Sequence, residues 1–205
     1  MSSSIELLDN IYVLALNESK IGIPILLRSI LEASVDIQFI LIEKSNYKRI
    51  EVEDLLLWKG IIESVYKGNE FIKHIRKDER FEKEAKENAD KLRELKRLQI
   101  TKADIANKFK STIFADAYDS IYATLCSHSH NGKSAQQERH ITIQNGKSKI
   151  EVFKENSLEN YEYYLWLAAR FLLESTISIN EACHYGLDGE INELGEILNN
   201  ADFSR

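Results

Sequence analysis

The sequence predicts an all-α protein, an up-and-down helical bundle with one small inserted β-hairpin. The 205 residues include one proline and eight glycines, so few residues interrupt long helices. Hydrophobic residues make up 43% of the chain and recur at helical spacing along much of it. A chain of this length can bury one sizeable core, so we expect a single domain spanning residues 1–205.

The first half of the chain divides into four predicted helices. The first spans residues 4–18, and a break at Gly22 precedes the second, which continues to about Lys44. The third begins near Glu51. Residues 79–99 are dense in Glu, Lys and Arg and predict a charged helix stabilised by pairs of opposite charge one turn apart. We expect this helix either to project from the body or to pair with another helix.

The second half contains further helices and the hairpin. A helix is expected over residues 112–127. Residues 139–153 alternate apolar and polar side chains around an Asn-Gly pair, which predicts a β-hairpin. A long helix then continues to about His184, and residues 190–200 form a last short one.

Charge and cysteine usage limit the classes of function and the compartment. The chain has 27 basic and 33 acidic residues, a net charge of −6, which counts against a broad nucleic-acid surface and against docking on an anionic membrane. Cys126 and Cys183 lie in helical patterns without a paired partner, which is typical of free thiols in a reducing compartment. The N-terminus shows no basic region followed by an apolar run, so we expect no signal peptide and a cytoplasmic protein.

The most apolar stretch, residues 21–42, carries three charged residues on one face. Arg28, Glu32 and Asp36 are spaced by four, so they stack along one side of the predicted helix. Their charges make a membrane span too costly, so we expect a buried core helix. Buried charges are unfavourable unless they are paired, so polar groups should lie opposite this face.

A second polar stripe offers such partners. Tyr118 and Tyr122 are four residues apart, and His130 follows eight residues after Tyr122, so all three fall on one face of a regular helix. The tyrosine hydroxyls can bond a carboxylate or a guanidinium. The helix end also carries His128 and Asn131. Because the two histidines alternate, only one can continue the inner stripe, and we expect His128 to face solvent. The two helices would enclose a concave site with a few convergent polar groups.

Two short sequence motifs that contain residues of these stripes resemble motifs of a known family. The first motif reads Leu-x-Arg-Ser-x-x-Glu at residues 26–32, and the second reads Tyr-x-x-Leu-Ser-x-x-x-His at residues 122–130, with Cys126 in place of the serine. Both are similar to motifs of a bacterial family of uncharacterised helical domains, domain of unknown function five-six-seven-seven. The resemblance covers roughly residues 10–185.

The wider resemblance is to HEPN-like helical domains, several of which are metal-independent ribonucleases in phage defence and toxin systems. It implies a histidine that takes a proton from the ribose 2′-hydroxyl and an arginine that stabilises charge on the phosphate. The HEPN signature places the histidine four to six residues after the arginine. Here Arg139 is adjacent to His140, and no arginine precedes His128 or His130 at that distance.

Two functions remain open. The first is an effector of a bacterial defence or toxin-type system that cleaves RNA without a metal. Its catalytic candidates are Arg28, Glu32 and His130, and its candidate substrate contacts are Asp36, Tyr118, Tyr122, His128 and Asn131. The second is a non-catalytic helical module that binds a protein or a ligand, in which this cluster is structural.

We expect neither a metal nor a cofactor, because the cysteines and histidines lack the spacing of a ligand cluster. Each hypothesis implies its own partner: RNA for the first, or a protein from the same operon for the second. We also expect a homodimer, because related bundles often pair, and no association with a membrane.

Overall fold

The computed structural model describes residues 2–19, 21–151 and 159–201. Its elements confirm an all-α bundle with one small antiparallel hairpin. The described helices are α1 (Ser2–Leu16), α2 (Gly22–Ile42), α3 (Asn46–Tyr66), α4 (Glu79–Arg97), α5 (Ile105–Lys110), α6 (Ala123–Ser129), α7 (Lys133–His140), α8 (Glu159–Cys183) and α9 (Asp188–Asn200). The strands are β1 (Ile141–Gln144) and β2 (Lys147–Ile150).

The chain forms two compact units. One, the terminal unit, comprises Met1–Leu41 together with Phe109–Arg205, and the other, the central unit, comprises Ile42–Lys108. A single domain over residues 1–205 stays a prediction.

Helix α2 supplies much of the core of the terminal unit. Five of its aliphatic side chains are fully buried: Ile23, Leu27, Ile30, Leu31 and Val35. Two buried polar side chains of α2 bond to α8, since Ser34 Oγ donates to the carbonyl of Phe171 at 3.3 Å and Gln38 Nε2 donates to Ser178 Oγ at 2.8 Å. These bonds offset the cost of burying the two polar groups and fix the register of α2 on α8. No helix within the described ranges is both long and apolar enough to cross a membrane.

A glycine allows α1 to approach the start of α2 closely. A Cβ at Gly22 would lie 2.8 Å from Leu14 Cδ1, which is closer than two such carbons can pack. A side chain at this position would therefore displace Leu14 or separate the two helices.

The central unit is built on the pairing of α3 with α4. Val52 and Leu55 of α3 form a core cluster with Leu92 and Leu95 of α4. The charged helix predicted over residues 79–99 thus pairs with another helix, because its sparse apolar residues fall on one face.

Polar contacts tie the same two helices at both ends. The hydroxyl of Tyr66, at the end of α3, donates to Glu82 Oε2 at 2.8 Å, at the start of α4. Lys91 forms an ion pair with Glu51 near the opposite end. Early residues of one helix meet late residues of the other, so the two helices are antiparallel.

The chain between α5 and α6 departs from the continuous helix predicted over residues 112–127. It contains a 3₁₀ turn at Ala115–Ala117 and a π-helical turn at Tyr118–Tyr122 before α6 begins. A π-turn is wider than an α-turn, so the simple four-residue stepping assumed from the sequence does not hold through this segment.

The hairpin lies within the predicted range of 139–153, of which residues 152 and 153 lie outside the described chain. Ile141 pairs with Ile150 in the antiparallel register. Asn145 and Gly146 have φ angles of 53° and 74°, the left-handed conformation that a tight two-residue hairpin turn requires at both positions.

Candidate functional site

The structure brings together Arg28, Glu32 and Tyr122, three of the predicted site residues. Nη2 of Arg28 donates to Glu32 Oε1 at 2.8 Å and to the Tyr122 hydroxyl at 3.4 Å. The Tyr122 hydroxyl in turn donates to the same Glu32 oxygen at 2.8 Å. The three groups therefore form a closed ring of hydrogen bonds, which we call the arginine–tyrosine ring. It joins α2 to the π-turn.

The protonation states of this ring follow from burial and pairing. Burial raises the pKa of the Tyr122 hydroxyl well above its usual value, and the hydrogen bond to Glu32 adds to that rise while Arg28 opposes it. Burial lowers the pKa of Arg28, but the hydrogen bond to Tyr122 and the charge of Glu32 outweigh it, so that pKa is raised. At neutral pH, Tyr122 is thus a neutral phenol and Arg28 a cation.

Aromatic packing holds Tyr122 in place. Its ring stacks on Tyr118, with centroids 5.6 Å apart and planes inclined by 19°. The fully buried ring of Phe109 lies 4.8 Å from Tyr122 and 5.3 Å from Tyr118. Asp36 is half-buried one turn after Glu32 and continues the polar face of α2.

The prediction that His128 faces solvent is wrong. His128 is 4% exposed, whereas His130 is an exposed residue at the C-terminal cap of α6. The reason is helical phase: Leu125 is fully buried, and His128 follows three residues later on the same face. His130 follows five residues after Leu125, which places it on nearly the opposite side.

His128 belongs to a second polar cluster, which we call the histidine cluster. Arg139 Nη2 donates to the His128 carbonyl at 3.2 Å and lies 3.3 Å from His128 Nδ1, while Nη1 donates to Asn131 Oδ1 at 3.0 Å. On the other side of the ring, Nε2 lies 3.5 Å from Glu138 Oε2. Because a guanidinium only donates, Nδ1 is the acceptor, and the proton of the neutral imidazole resides on Nε2, facing Glu138.

Burial lowers the pKa of His128 below its usual value, and the positive charge of Arg139 adds to this effect while Glu138 opposes it. The imidazole is therefore neutral at neutral pH. It separates a guanidinium from a carboxylate without cancelling the charge of either.

A cavity of about 620 Å³ in the terminal unit adjoins this cluster. Its aliphatic walls come from Ile121, Leu125 and Leu167. Its polar and aromatic walls come from Ser120, Thr124, Glu138, Tyr163 and Tyr164. The volume falls in the range of small-molecule sites, and the mixture of apolar walls with a few polar groups is typical of them.

Some predicted site residues are not brought together. Among the described residues, none of the polar or ring contacts of Arg28 reaches His128 or His130, and the side chain of His130 makes no hydrogen bond. Asn131 lies in the histidine cluster rather than beside Arg28. In the described ranges, no three His, Cys, Asp or Glu side chains are grouped as they would be to hold a metal ion.

Sequence reasoning missed Glu138, Arg139 and the two tyrosines of the cavity. A signal was present for Arg139, because Ala135 and Arg139 are spaced by four and share the buried face of α7. The adjacent aromatic residues Tyr163 and Tyr164 also mark the start of α8. Nothing in the spacing shows that α7 and α8 meet at His128.

Most of the chain matches a known family. The model of a family described only as a family of unknown function (DUF5677) matches residues 1–148. This range includes both motifs that resemble the family, although it ends earlier than the expected residues 10–185. No curated protein and no solved structure matches the chain. The family match covers well over half of the sequence, so the chain belongs to this family of unknown function.

Proposed function

We propose that the protein is a non-catalytic helical module that binds a small ligand in the cavity of the terminal unit, and that the arginine–tyrosine ring is structural. The observation that carries the ligand-binding part is the cavity of about 620 Å³ with its mixed apolar and polar walls. The closed ring of hydrogen bonds supports the structural part. The Nη2 donor of Arg28 that would hold a phosphate is engaged by Glu32 and by Tyr122.

The chemistry of RNA cleavage fits this ring poorly. Cleavage needs a cation and an acid or base within hydrogen-bond reach of the same reacting group. The charge of Arg28 is offset by Glu32 at 2.8 Å, and that carboxylate would repel a phosphate. Tyr122 is held as a neutral phenol, which makes it a weak base.

The test is an RNA cleavage assay on total and transfer RNA, with and without EDTA, using wild type, Arg28→Ala and His130→Ala. We expect no cleavage by the wild type, a lower melting temperature for Arg28→Ala, and an unchanged one for the exposed His130→Ala. EDTA-resistant cleavage by the wild type that is lost in His130→Ala, with folding retained, would overturn the proposal.

A second candidate is metal-independent RNA cleavage by an effector of a bacterial defence or toxin-type system, related to HEPN-like domains. One observation favours it: Nε of Arg28 is buried and has no hydrogen-bond partner among the described residues. A buried donor without an acceptor is unfavourable, and a phosphate oxygen would satisfy it. In this candidate His130 is the acid or base, and the same assay decides.

We further propose that the protein works in the cytoplasm as a homodimer. Cys126 and Cys183 are both free thiols, which suits a reducing compartment. Light scattering of the purified protein measures the dimer directly, and a monomer mass at micromolar concentration would contradict it.

A further inference from the structure

A second cavity lies in the central unit, as a trough between the antiparallel helices α3 and α4. Its volume is about 520 Å³, within the range of small-molecule sites. The lining residues recur at helical spacing on both helices, so the trough follows one side of the helix pair. From Leu55 to Tyr66 its α3 wall extends about 16 Å, at about 1.5 Å per residue. We call this elongated cavity the α3–α4 trough.

Two alanines of α4 leave the space for the trough. Ala85 and Ala89 are one turn apart and both line it, whereas the next apolar residue on that face is the larger Leu92. Leu55 and Ile62 supply the aliphatic wall of α3. The small alanine side chains leave the seam between the helices open at this level. The body of the trough is therefore apolar, and an apolar ligand would gain free energy by covering it.

The charged side chains of the lining are unevenly distributed along the trough. The core cluster of the two helices sets Leu55 beside Leu92, so Arg93 and Lys96 lie at that end of the trough. Glu63 lies about two turns further along α3, toward the other end. One end is thus positive, and the apolar body separates it from the carboxylate.

The cations of the lining differ in how far they are already paired. Arg93 forms an ion pair with Asp90, and Lys59 lies 3.6 Å from Glu63. All four side chains are at least half exposed, so both pairs are weak and their cations can also contact a ligand. Lys96 makes no ion pair and no side-chain hydrogen bond within the described residues. Lys96 is therefore the first anchor for an anionic group.

Tyr66 closes the opposite end of the trough. Its hydroxyl donates to Glu82 at 2.8 Å, which holds the ring in place. Arg76, over the Tyr66 ring at 5.3 Å, and Glu82 have opposite charges, and neither lines the trough. Glu63 does line it and would repel an anionic group placed here. A ligand with one anionic group should therefore direct that group to the Lys96 end.

We propose that the α3–α4 trough binds a small amphiphilic acid, that is, an apolar chain or ring that ends in one carboxylate. The carboxylate contacts Lys96 with Arg93 beside it, and the apolar body lies on the alanines toward Tyr66. A single negative charge suits the lining better than a phosphate dianion, because Glu63 offsets one of its three cations.

The charge of the central unit favours the same class of ligand. Residues 42–108 include 17 Lys and Arg against 14 Asp and Glu, although the whole chain has a net charge of −6. A basic unit attracts anions over a longer range than the contacts themselves. The trough shares no lining residue with the cavity of the terminal unit, so this second site goes beyond the function proposed above.

The experiment compares three probes that share an apolar chain of the same length and differ in headgroup: the anion octanoate, the neutral 1-octanol and the cation octylammonium. Each is titrated into the full-length protein, and binding is followed by NMR shifts of the trough residues. We expect octanoate to bind about tenfold more tightly than 1-octanol, because a charge-assisted hydrogen bond replaces a neutral one. Octylammonium should bind weakest. Decanoate adds two methylene groups and should bind about tenfold more tightly than octanoate.

Two variants place the effect on named residues. Lys96→Gln removes the anchoring charge, so the preference for octanoate over 1-octanol should fall to about threefold or less. The matched control Lys86→Gln changes an exposed lysine of α4 that does not line the trough, and should leave the preference unchanged. Ala89→Leu fills the trough and should weaken octanoate and 1-octanol alike by about tenfold. Ala89 is exposed and leucine is a good helix former, so this variant should fold.

Four outcomes would overturn the proposal. They are no binding of octanoate at millimolar concentration, shifts that lie outside the trough, equal binding of the three probes, and a preference that survives Lys96→Gln in a folded protein. Light scattering tests the other occupant: a change of oligomeric mass in Ala89→Leu would show that a second copy of the chain covers the trough, and would also overturn it. RNA cleavage that depends on Arg28 overturns only the function proposed above.

Discussion

The arginine–tyrosine ring and the histidine cluster are built from similar groups and connected differently. Each contains an arginine, a carboxylate and a ring with a polar atom. In the first, Arg28 contacts Glu32 directly at 2.8 Å, so the two charges offset each other. In the second, the imidazole of His128 lies between Arg139 and Glu138, so the carboxylate reaches a cavity wall. Which groups touch, rather than which groups are present, therefore decides where the negative charge lies: beside the arginine in the first cluster, and at a cavity wall in the second.

The largest expected effect is at Arg139, the arginine of the histidine cluster. Arg139 is 9% exposed and its guanidinium serves three acceptors, so Arg139→Ala should lower the free energy of unfolding by about 2–4 kcal/mol, as measured in urea. Arg139→Lys, which keeps the charge but not the planar fork, should lose a smaller part of it. A loss below that of Arg28→Ala would reverse the order of the two clusters.

Arg28→Ala should have the next largest effect. Its side chain is 25% exposed and that of Glu32 is 33% exposed, so solvent screens the pair, and we expect a loss of about 1–3 kcal/mol. A fully buried pair would lose about 3–5 kcal/mol. Lys59 and Glu63 form a matched control, since they too are spaced by four but are more than half exposed. Lys59→Ala should cost about 0.5 kcal/mol or less in the same urea experiment.

A smaller effect isolates one hydroxyl of the arginine–tyrosine ring. Tyr122→Phe removes the hydroxyl that bonds both Glu32 and Arg28, and should cost about 1–2 kcal/mol in thermal unfolding. Tyr118→Phe is its control, because the Tyr118 hydroxyl makes no hydrogen bond within the described residues while its ring stacks on Tyr122. Equal losses from the two variants would show that packing, and not the hydroxyl, holds the ring.

The smallest effect is a dependence on pH at His128. Its pKa in the folded protein lies below its value in the unfolded chain, near 6.5, so the unfolded chain binds the extra proton first. The contribution of neutral His128 is fully present above about pH 6.5 and is lost as the pH falls below it, with a slope of at most about 1.4 kcal/mol per pH unit. His128→Gln should flatten the stability profile between pH 7 and 5. An unchanged profile would mean that His128 titrates normally.

The sequence was sufficient to predict α2 and the meeting of its polar face with Tyr122. A helix apolar on most sides must be buried on most sides, and its charges must then find polar partners. Arg28 and Glu32 satisfy that requirement with each other and with Tyr122. The hairpin was predictable for a similar reason, since Asn145 and Gly146 accept the left-handed turn.

The histidine cluster could not be predicted in the same way. Periodicity gives the spacing of residues along a helix, but it gives the inner face only if the helix is regular. The π-turn at Tyr118–Tyr122 breaks that regularity just before α6, and the orientation of His128 follows from Leu125 instead. The cavity depends on contacts between α6, α7 and α8, which a pattern within one helix does not contain.

The π-turn has a consequence for how the chain tolerates changes in length. A π-turn accommodates an additional residue within a helix. Deleting one residue there, such as the exposed Asp119, would allow an ordinary α-turn and rotate everything that precedes it relative to α6. Substitutions at Asp119 should therefore be mild, while its deletion should change the offset between the rings of Tyr118 and Tyr122. In this segment the number of residues, more than their identity, keeps the aromatic stack aligned.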